Sequence, residues 1–160
     1  MSEHRFPSAE FPGPVPVRLR VPDGWRPAPT GSAAMAFTDD APPGELRSSL
    51  VVVVERTGGD PTLDEIAARL RDRTSGMAAG STTLASDAAM VAGRDAIRTV
   101  LSVPVPQRAV TLVQAQTVVA LDADDHGQRD VVQLHFTCPA QRWTAQEPVL
   151  AGVLRSVEIG

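Results

Sequence analysis

Residues 108–138, RAVTLVQAQTVVALDADDHGQRDVVQLHFTC, decide the fold of this chain. Two long stretches of alternating apolar and polar residues flank an acidic segment with a glycine at 122–127. A period of two is typical of a strand with one buried face, and a short polar segment with glycine is typical of a hairpin loop. We therefore predict strands at 108–121 and 129–138 that pair antiparallel.

Further strands are predicted from the same pattern elsewhere. Four consecutive valines within 48–56 are apolar on both faces, which is typical of a strand in the middle of a sheet that is covered on both sides. Other strands are expected at 15–21, 35–38, 83–91 and 96–103. Pro22-Asp23-Gly24 and Gly93-Arg94 are predicted turns, because proline presets φ and glycine accepts a positive φ.

Two helices are predicted. Thr62 and Glu65 have the spacing of a capping box, and apolar residues then recur at helical spacing until about Gly76. A second helix is expected over 146–157, where Thr144 and Glu147 indicate another capping box and apolar residues form a stripe.

The order of elements predicts an α+β fold, a mainly antiparallel β-sheet flanked by helices. The chain has 160 residues, of which 42% are hydrophobic and 21% charged, as in one globular domain. We predict a single domain at 15–160. Residues 1–14 contain three prolines and little periodicity, which predicts a flexible N-terminal arm.

Charge and composition exclude several functional classes. The formal net charge is −4, which disfavours nucleic acid because phosphate backbones repel it. No stretch is apolar for the ~20 residues that a membrane span needs. The chain begins without a signal peptide, so we expect a cytoplasmic protein. Arginine supplies all the basic residues apart from histidine, and alanine, valine, glycine and proline are abundant; we interpret this composition as actinobacterial.

No enzyme motif is present: the chain lacks a nucleophile elbow, a P-loop and a dinucleotide-binding glycine motif. His135 and Cys138 are three residues apart in a strand and therefore face opposite sides; Cys138 is interpreted as a core residue. The acidic segment 122–127 lacks the spacing of a calcium loop and is interpreted as a solvated hairpin tip. We predict no catalytic residues, no metal and no cofactor.

Six residues are candidates for contact with a partner. Trp25 and Trp143 lie at the ends of elements and either cover an edge of the core or line a groove. Gln114 and Gln116 share one strand face, and Gln133 and His135 share another. Since buried glutamines need hydrogen-bond partners, these polar faces either line a groove or simply face solvent.

Four segments resemble the PsbP-like superfamily, to which the DcrB-type, LpqN-type and Ran-binding Mog-type proteins belong. They are VPDGW at 21–25, VAGRDA at 91–96, LHFTCPA at 134–140 and LRSV at 154–157, and the resemblance covers 15–160. It implies an α/β/α sandwich, no catalytic residues, and binding or accessory roles such as photosystem subunit, GTPase partner or secretion chaperone. LpqN-type proteins are lipoproteins, whereas Cys138 lies too late in this sequence to be a lipid anchor.

These observations predict a non-catalytic binding protein, an accessory factor or chaperone that docks another protein on a sheet face or groove. Two alternatives stay open: a module that binds a small apolar ligand, and a structural subunit of a larger assembly. Homodimerisation is also left open.

Overall fold

A computed structural model describes residues 1–6 and 15–160. The helices are α1 (Leu63–Met77) and α2 (Trp143–Arg155). The strands are β1 (Ser2–Phe6), β2 (Val17–Val21), β3 (Arg26–Pro27), β4 (Met35–Thr38), β5 (Ser49–Thr57), β6 (Thr82–Val91), β7 (Arg94–Val105), β8 (Val110–Ala120), β9 (Arg129–Pro139) and β10 (Glu158–Ile159).

The strands form two antiparallel sheets. The large sheet has the order β3-β4-β5-β9-β8-β7-β6, and the small sheet has the order β1-β2-β10. The hairpin predicted from 108–138 is present as β8 and β9, which pair along their length. The valine-rich strand β5 lies inside the large sheet, between β4 and β9. The fold is therefore α+β, as predicted.

The main core lies on the face of the large sheet that packs against α2 and the small sheet; we call it the α2 face. Leu150 and Val153 of α2 and Leu19 of β2 join Leu134 and Phe136 of β9 in one buried cluster. Each fully buried aliphatic or aromatic side chain stabilises the fold by about 1.5–3 kcal/mol relative to exposure. Both α2 and the small sheet thus cover this face of the large sheet.

The opposite face, called the α1 face, is covered less completely. Ile66 and Leu70 of α1 pack against Val118 and Val131 in a smaller cluster, and α1 lies over β7 and β8. In β5, Leu50 and Val52 point to the α2 face and are buried, whereas Val51 and Val53 are only half-buried. The prediction that β5 is covered on both faces is therefore wrong for the α1 face, because one helix is too narrow to cover the sheet.

The first predicted capping box is confirmed. The Thr62 hydroxyl accepts a hydrogen bond from the Glu65 N–H at 3.2 Å, and the Glu65 carboxylate accepts one from the Thr62 N–H at 2.8 Å. Two of the N–H groups that lack an intrahelical partner are thereby satisfied. The local signal was sufficient because both partners lie within one turn of helix.

The second predicted capping box is wrong. A 3₁₀ turn at Ala140–Arg142 runs directly into α2, so the helix begins at Trp143 and Thr144 is already inside it. Glu147 instead accepts a hydrogen bond from Arg98 of β7 at 2.6 Å. A tertiary ion pair therefore uses the carboxylate that the sequence pattern assigned to the cap.

The turn between β6 and β7 lies one residue earlier than predicted. Ala92 and Gly93 both have positive φ, at 51° and 70°, and Val91 pairs with Arg94. Two left-handed residues are typical of a tight hairpin turn that matches the twist of its strands. Arg94 consequently begins β7.

Part of the predicted arm is a strand. Ser2–Phe6 form β1, which pairs antiparallel with β2 along five residues. Pairing with an existing strand satisfies the backbone groups, and the local sequence carries no sign of it. Residues 7–14, the rest of the predicted arm, lie outside the described residues.

Candidate functional site

Four of the six candidate residues meet on the α1 face. Gln114 and Gln116 lie on β8, and Gln133 and His135 on β9. Gln116 stands directly opposite His135 in the strand register, so their side chains leave the sheet on the same side. We call these four residues the polar strip. The alternation within each strand predicted that the members of each pair share a face of that strand, and the register of β8 and β9 brings the two pairs together.

The β8 half of the polar strip is tied to α1. Gln116 Nε2 donates to Thr74 Oγ1 at 2.7 Å and to Gln114 Oε1 at 2.9 Å. The Thr74 hydroxyl donates to Gln114 Oε1 at 3.3 Å. Gln116 is only 2% exposed, and its Oε1 has no hydrogen-bond partner among the described residues. Gln116 therefore does not face solvent.

The β9 half of the polar strip forms a chain that ends on β5. Gln133 Nε2 donates to Glu55 Oε2 at 2.9 Å, and Gln133 Oε1 lies 3.0 Å from His135 Nε2. An ionised carboxylate only accepts hydrogen bonds, so the amide nitrogen must face Glu55 and the amide oxygen must face the imidazole. His135 Nε2 consequently carries the proton in this arrangement.

His135 is held in its neutral form. Burial lowers the pKa of His135 below its usual value, the Glu55 carboxylate opposes that shift, and the Arg73 guanidinium adds to it. A neutral imidazole with a protonated Nε2 presents Nδ1 as an acceptor. Gln133 is 3% exposed and His135 half-buried. His135 is therefore more accessible to a partner than Gln133.

A groove separates α1 from β5 and β9. Its volume is about 110 Å³. The lining residues are Glu55, Thr57, Ile66, Arg69, Leu70, Arg73, Val131 and Gln133. Ile66 and Leu70 supply an apolar wall, whereas Arg69 and Arg73 are exposed at its rim. In the described part of the chain, neither arginine has a carboxylate within ion-pair distance.

The α1 residues of this site were missed at the level of sequence. Thr74, Arg69 and Arg73 lie on the helix, and only the packing of α1 on the sheet brings them beside the polar strip. A signal was present, since Arg69 and Arg73 are four residues apart and share one side of a helix.

Trp25 and Trp143 do not belong to the polar strip. Trp25 stacks on Phe136 of the α2 face with ring centroids 5.9 Å apart. The Arg98 guanidinium lies 5.9 Å from the ring centre of Trp143. Both tryptophans are half-buried against the main core. Of the two alternatives left open for these residues, the position favours covering the edge of the core.

Beside Trp25 lies a polar cavity of about 260 Å³ that includes Asp39 and Arg142. Arg142 Nη2 donates to Asp39 Oδ2 at 2.7 Å, and the Ser48 N–H donates to Asp39 Oδ1 at 3.0 Å. Both carboxylate oxygens are thus satisfied, and Asp39 is 7% exposed. This pair joins the loop after β4 to the start of α2. The sequence analysis did not predict this ion pair, because its two residues lie far apart in the chain.

Cys138 is a core residue. It is fully buried on the α2 face, and burial raises the pKa of its thiol to about 11. Thiolate is the reactive form of cysteine, and it is scarce at neutral pH here. His135 faces the other side of the same strand, so the two residues cannot act together.

The acidic hairpin tip folds on itself. Asp124 Oδ1 accepts the N–H groups of His126 and Gln128, both at 2.9 Å, and Arg56 donates to the other carboxylate oxygen. The Gln128 hydrogen bond lowers the pKa of Asp124 most. No group of three or more histidine, cysteine or acidic residues is arranged to hold a metal ion within residues 1–6 and 15–160.

No helix in the described residues has the length and apolar character needed to cross a bilayer. No family model matches the sequence, and no curated protein matches it.

Solved structures do match. LpqN of Mycobacterium tuberculosis, described as involved in cell envelope biogenesis, superposes with a TM-score of 0.74 at 18% identity, over 99% of this chain and 90% of LpqN. CyanoP, the cyanobacterial PsbP of Synechocystis, superposes with a TM-score of 0.66 at 14% identity, over 99% of this chain and 93% of CyanoP. The Ran-binding protein Mog1p of Saccharomyces cerevisiae superposes with a TM-score of 0.62 at 12% identity, over 98% of this chain and 94% of Mog1p.

The fold and the site together define a class: an antiparallel sheet between helices, with a polar strip on one sheet face that only one helix covers. Within that class the chain has the PsbP-like fold that LpqN, CyanoP and Mog1p share. The predicted resemblance is thereby confirmed at the level of fold.

Proposed function

We propose that this protein is a non-catalytic accessory protein that docks a segment of another protein on its α1 face. The docking surface is the groove beside α1 together with Val51, Val53 and His135. The observation that carries the proposal is the incomplete cover of this face: α1 lies over β7 and β8, and Val51 and Val53 of β5 remain half-buried on this face. A sheet face with both apolar and polar groups is suited to an extended or helical segment.

The charges at the groove favour a partner with acidic and apolar side chains. Arg69 and Arg73 project at the rim without a carboxylate of their own within the described residues, and Ile66 and Leu70 form the wall. Arginine pairs readily with carboxylates at interfaces, and complementary charge speeds association. The description of Mog1p as Ran-binding supports a protein partner.

The absence of catalysis is part of the proposal. The polar strip consists of amides and one neutral imidazole, and Cys138 is buried on the other face. No nucleophile with an adjacent base results from this arrangement. A cytoplasmic location and an actinobacterial source stay predictions.

The small-ligand alternative receives less support. The groove has a volume of about 110 Å³, the cavity beside Trp25 about 260 Å³, and a cavity between the start of α1 and β6 about 290 Å³. Sites for drug-sized ligands span about 300–1,000 Å³. A protein partner needs a surface rather than an enclosed volume.

The test is affinity capture from the native cell lysate with the tagged protein, followed by mass spectrometry. The double variant Arg69→Glu/Arg73→Glu is compared with Arg47→Glu, since Arg47 is also exposed and free of ion pairs among the described residues. A stoichiometric protein that is retained by the wild type and by the Arg47 variant, but lost with the double variant, supports the proposal.

Two results would contradict it. Retention of the same protein by the double variant places the contact elsewhere. A small molecule in the native mass spectrum, with no protein retained, favours ligand binding instead. Circular dichroism of each variant verifies that the fold is intact.

A further inference from the structure

The two edges of the large sheet are protected very differently. At one edge, β3 has two residues, Arg26 and Pro27, and proline cannot donate a hydrogen bond to another strand. At the other edge, β6 runs for ten residues, Thr82–Val91, with no proline and no lysine. It pairs with β7 on one side, and none of the described strands pairs with its other side.

A long unprotected edge presents a row of free backbone N–H and C=O groups to another strand. The first part of β6 is irregular, because the register with β7 shifts between Thr83 and Ala85. The remainder, residues 85–91, is regular. Leu84 and Met90 are 56% and 65% exposed, and they are two of the four large hydrophobic residues exposed in the described part of the chain.

We infer that the regular edge of β6 pairs antiparallel with β6 of a second copy, so that two large sheets become one. A two-fold axis requires the contact to be self-complementary. Since the regular segment is 85–91, its centre is Ala88, and the axis passes there. Ala88 then faces Ala88 of the copy.

The register about Ala88 is compatible with the charges. Asp87 is the one charged residue of β6, and it lies opposite Ala89 of the second copy rather than opposite its own equivalent. Ser86 lies opposite Met90, and Ala85 opposite Val91. Like charges directly opposite one another would oppose the pairing, and this register avoids them. A small residue at the axis also allows close approach of the two strands.

This inference is independent of the proposed docking surface. β8 and β7 separate β6 from β9 in the large sheet, so a dimer through β6 leaves the β5 side of the α1 face accessible. Failure of one proposal therefore does not imply failure of the other.

The test is sedimentation velocity of the purified full chain over a concentration series. We expect a monomer–dimer equilibrium in the wild type. Ala88→Lys places two ammonium groups opposite each other and weakens the dimer roughly fivefold. Ala88→Glu has the same effect with the opposite charge. The matched control is Thr111→Lys, an exposed residue on β8, whose two edges are already paired.

Mixing the two Ala88 variants provides the sharpest readout, because lysine then faces glutamate across the axis and the heterodimer is recovered. Hydrogen exchange of residues 85–91 should slow as the dimer forms. A monomer at every concentration overturns the inference. A dimer that Ala88→Lys and Ala88→Glu leave unchanged, or a mixture that gives no heterodimer, also overturns it.

Discussion

Thr74 links α1 to the buried half of the polar strip, and its replacement by valine tests how much that link stabilises the fold. Valine has the same shape and a similar helix propensity, so the change removes chiefly the hydroxyl. Gln116 Nε2 loses its 2.7 Å acceptor and keeps the bond to Gln114. One N–H of a residue that is 2% exposed is then left without a partner.

The magnitude follows from these contacts. Removal of one partner leaves a buried donor unsatisfied, which costs about 1–3 kcal/mol. Thr74→Val should therefore lower the free energy of unfolding by about 1–3 kcal/mol. For a chain of this length, that corresponds to a fall in Tm of about 2–12 °C. Urea denaturation followed by circular dichroism measures it.

A double-mutant cycle with Gln116→Leu separates the pair from its surroundings. When both partners are apolar, no buried N–H is left unpaired. The double variant should therefore lose about 1–2 kcal/mol less stability than the sum of the losses in the two single variants. Thr111→Val, at an exposed position, serves as the control and should change stability by less than about 0.5 kcal/mol. A loss below about 0.5 kcal/mol for Thr74→Val, with no coupling, would refute the reasoning.

Four further predictions concern other parts of the molecule. Arg142→Ala leaves the Asp39 carboxylate buried without its cation and should lower the free energy of unfolding, measured by urea denaturation, by about 2 kcal/mol. This loss is smaller than that expected for a fully buried ion pair, because the Arg142 side chain is 30% exposed. An unchanged urea midpoint would contradict the prediction. Ala92→Asn should stabilise the protein by about 0.5–1 kcal/mol, because asparagine tolerates the positive φ of 51° at this turn better than alanine does; a lower Tm would count against it. Burial lowers the pKa of His135 below its usual value in the folded state, so its contribution to stability is fully present above the unfolded pKa and is lost as pH falls through the folded pKa. As the pH falls from neutral through the usual pKa of histidine, about 6.5, the stability of the wild type should therefore fall more than that of His135→Gln, and equal losses in urea denaturation would contradict this. The thiol of Cys138, with its pKa raised to about 11, should resist alkylation at neutral pH in the native state and react once urea unfolds the chain, which mass spectrometry detects; rapid native labelling would refute its burial.

The strands of the large sheet were predictable because their signal is local. The face of each residue in β8 and β9 follows from alternation alone, and the structure places Cys138 on the core face and His135 on the other. The capping box of α1 was predictable for the same reason, since Thr62 and Glu65 lie within one turn. The second capping box was wrong, because Glu147 pairs with Arg98, a residue 49 positions away in the chain.

The sequence by itself determined the α+β class, the long antiparallel hairpin and the grouping of the polar residues on strand faces, because periodicity and turn chemistry act between near neighbours. Only the tertiary structure decided which of those faces is open. Gln116 is buried because α1 lies over β7 and β8, whereas Val51 of β5 stays half-buried because it lies outside the area that the helix mainly covers. Likewise, only the strand order leaves β6 at an edge. Which sheet face is covered and which strand lies at an edge depend on contacts between residues far apart in the chain, and no local pattern encodes these contacts.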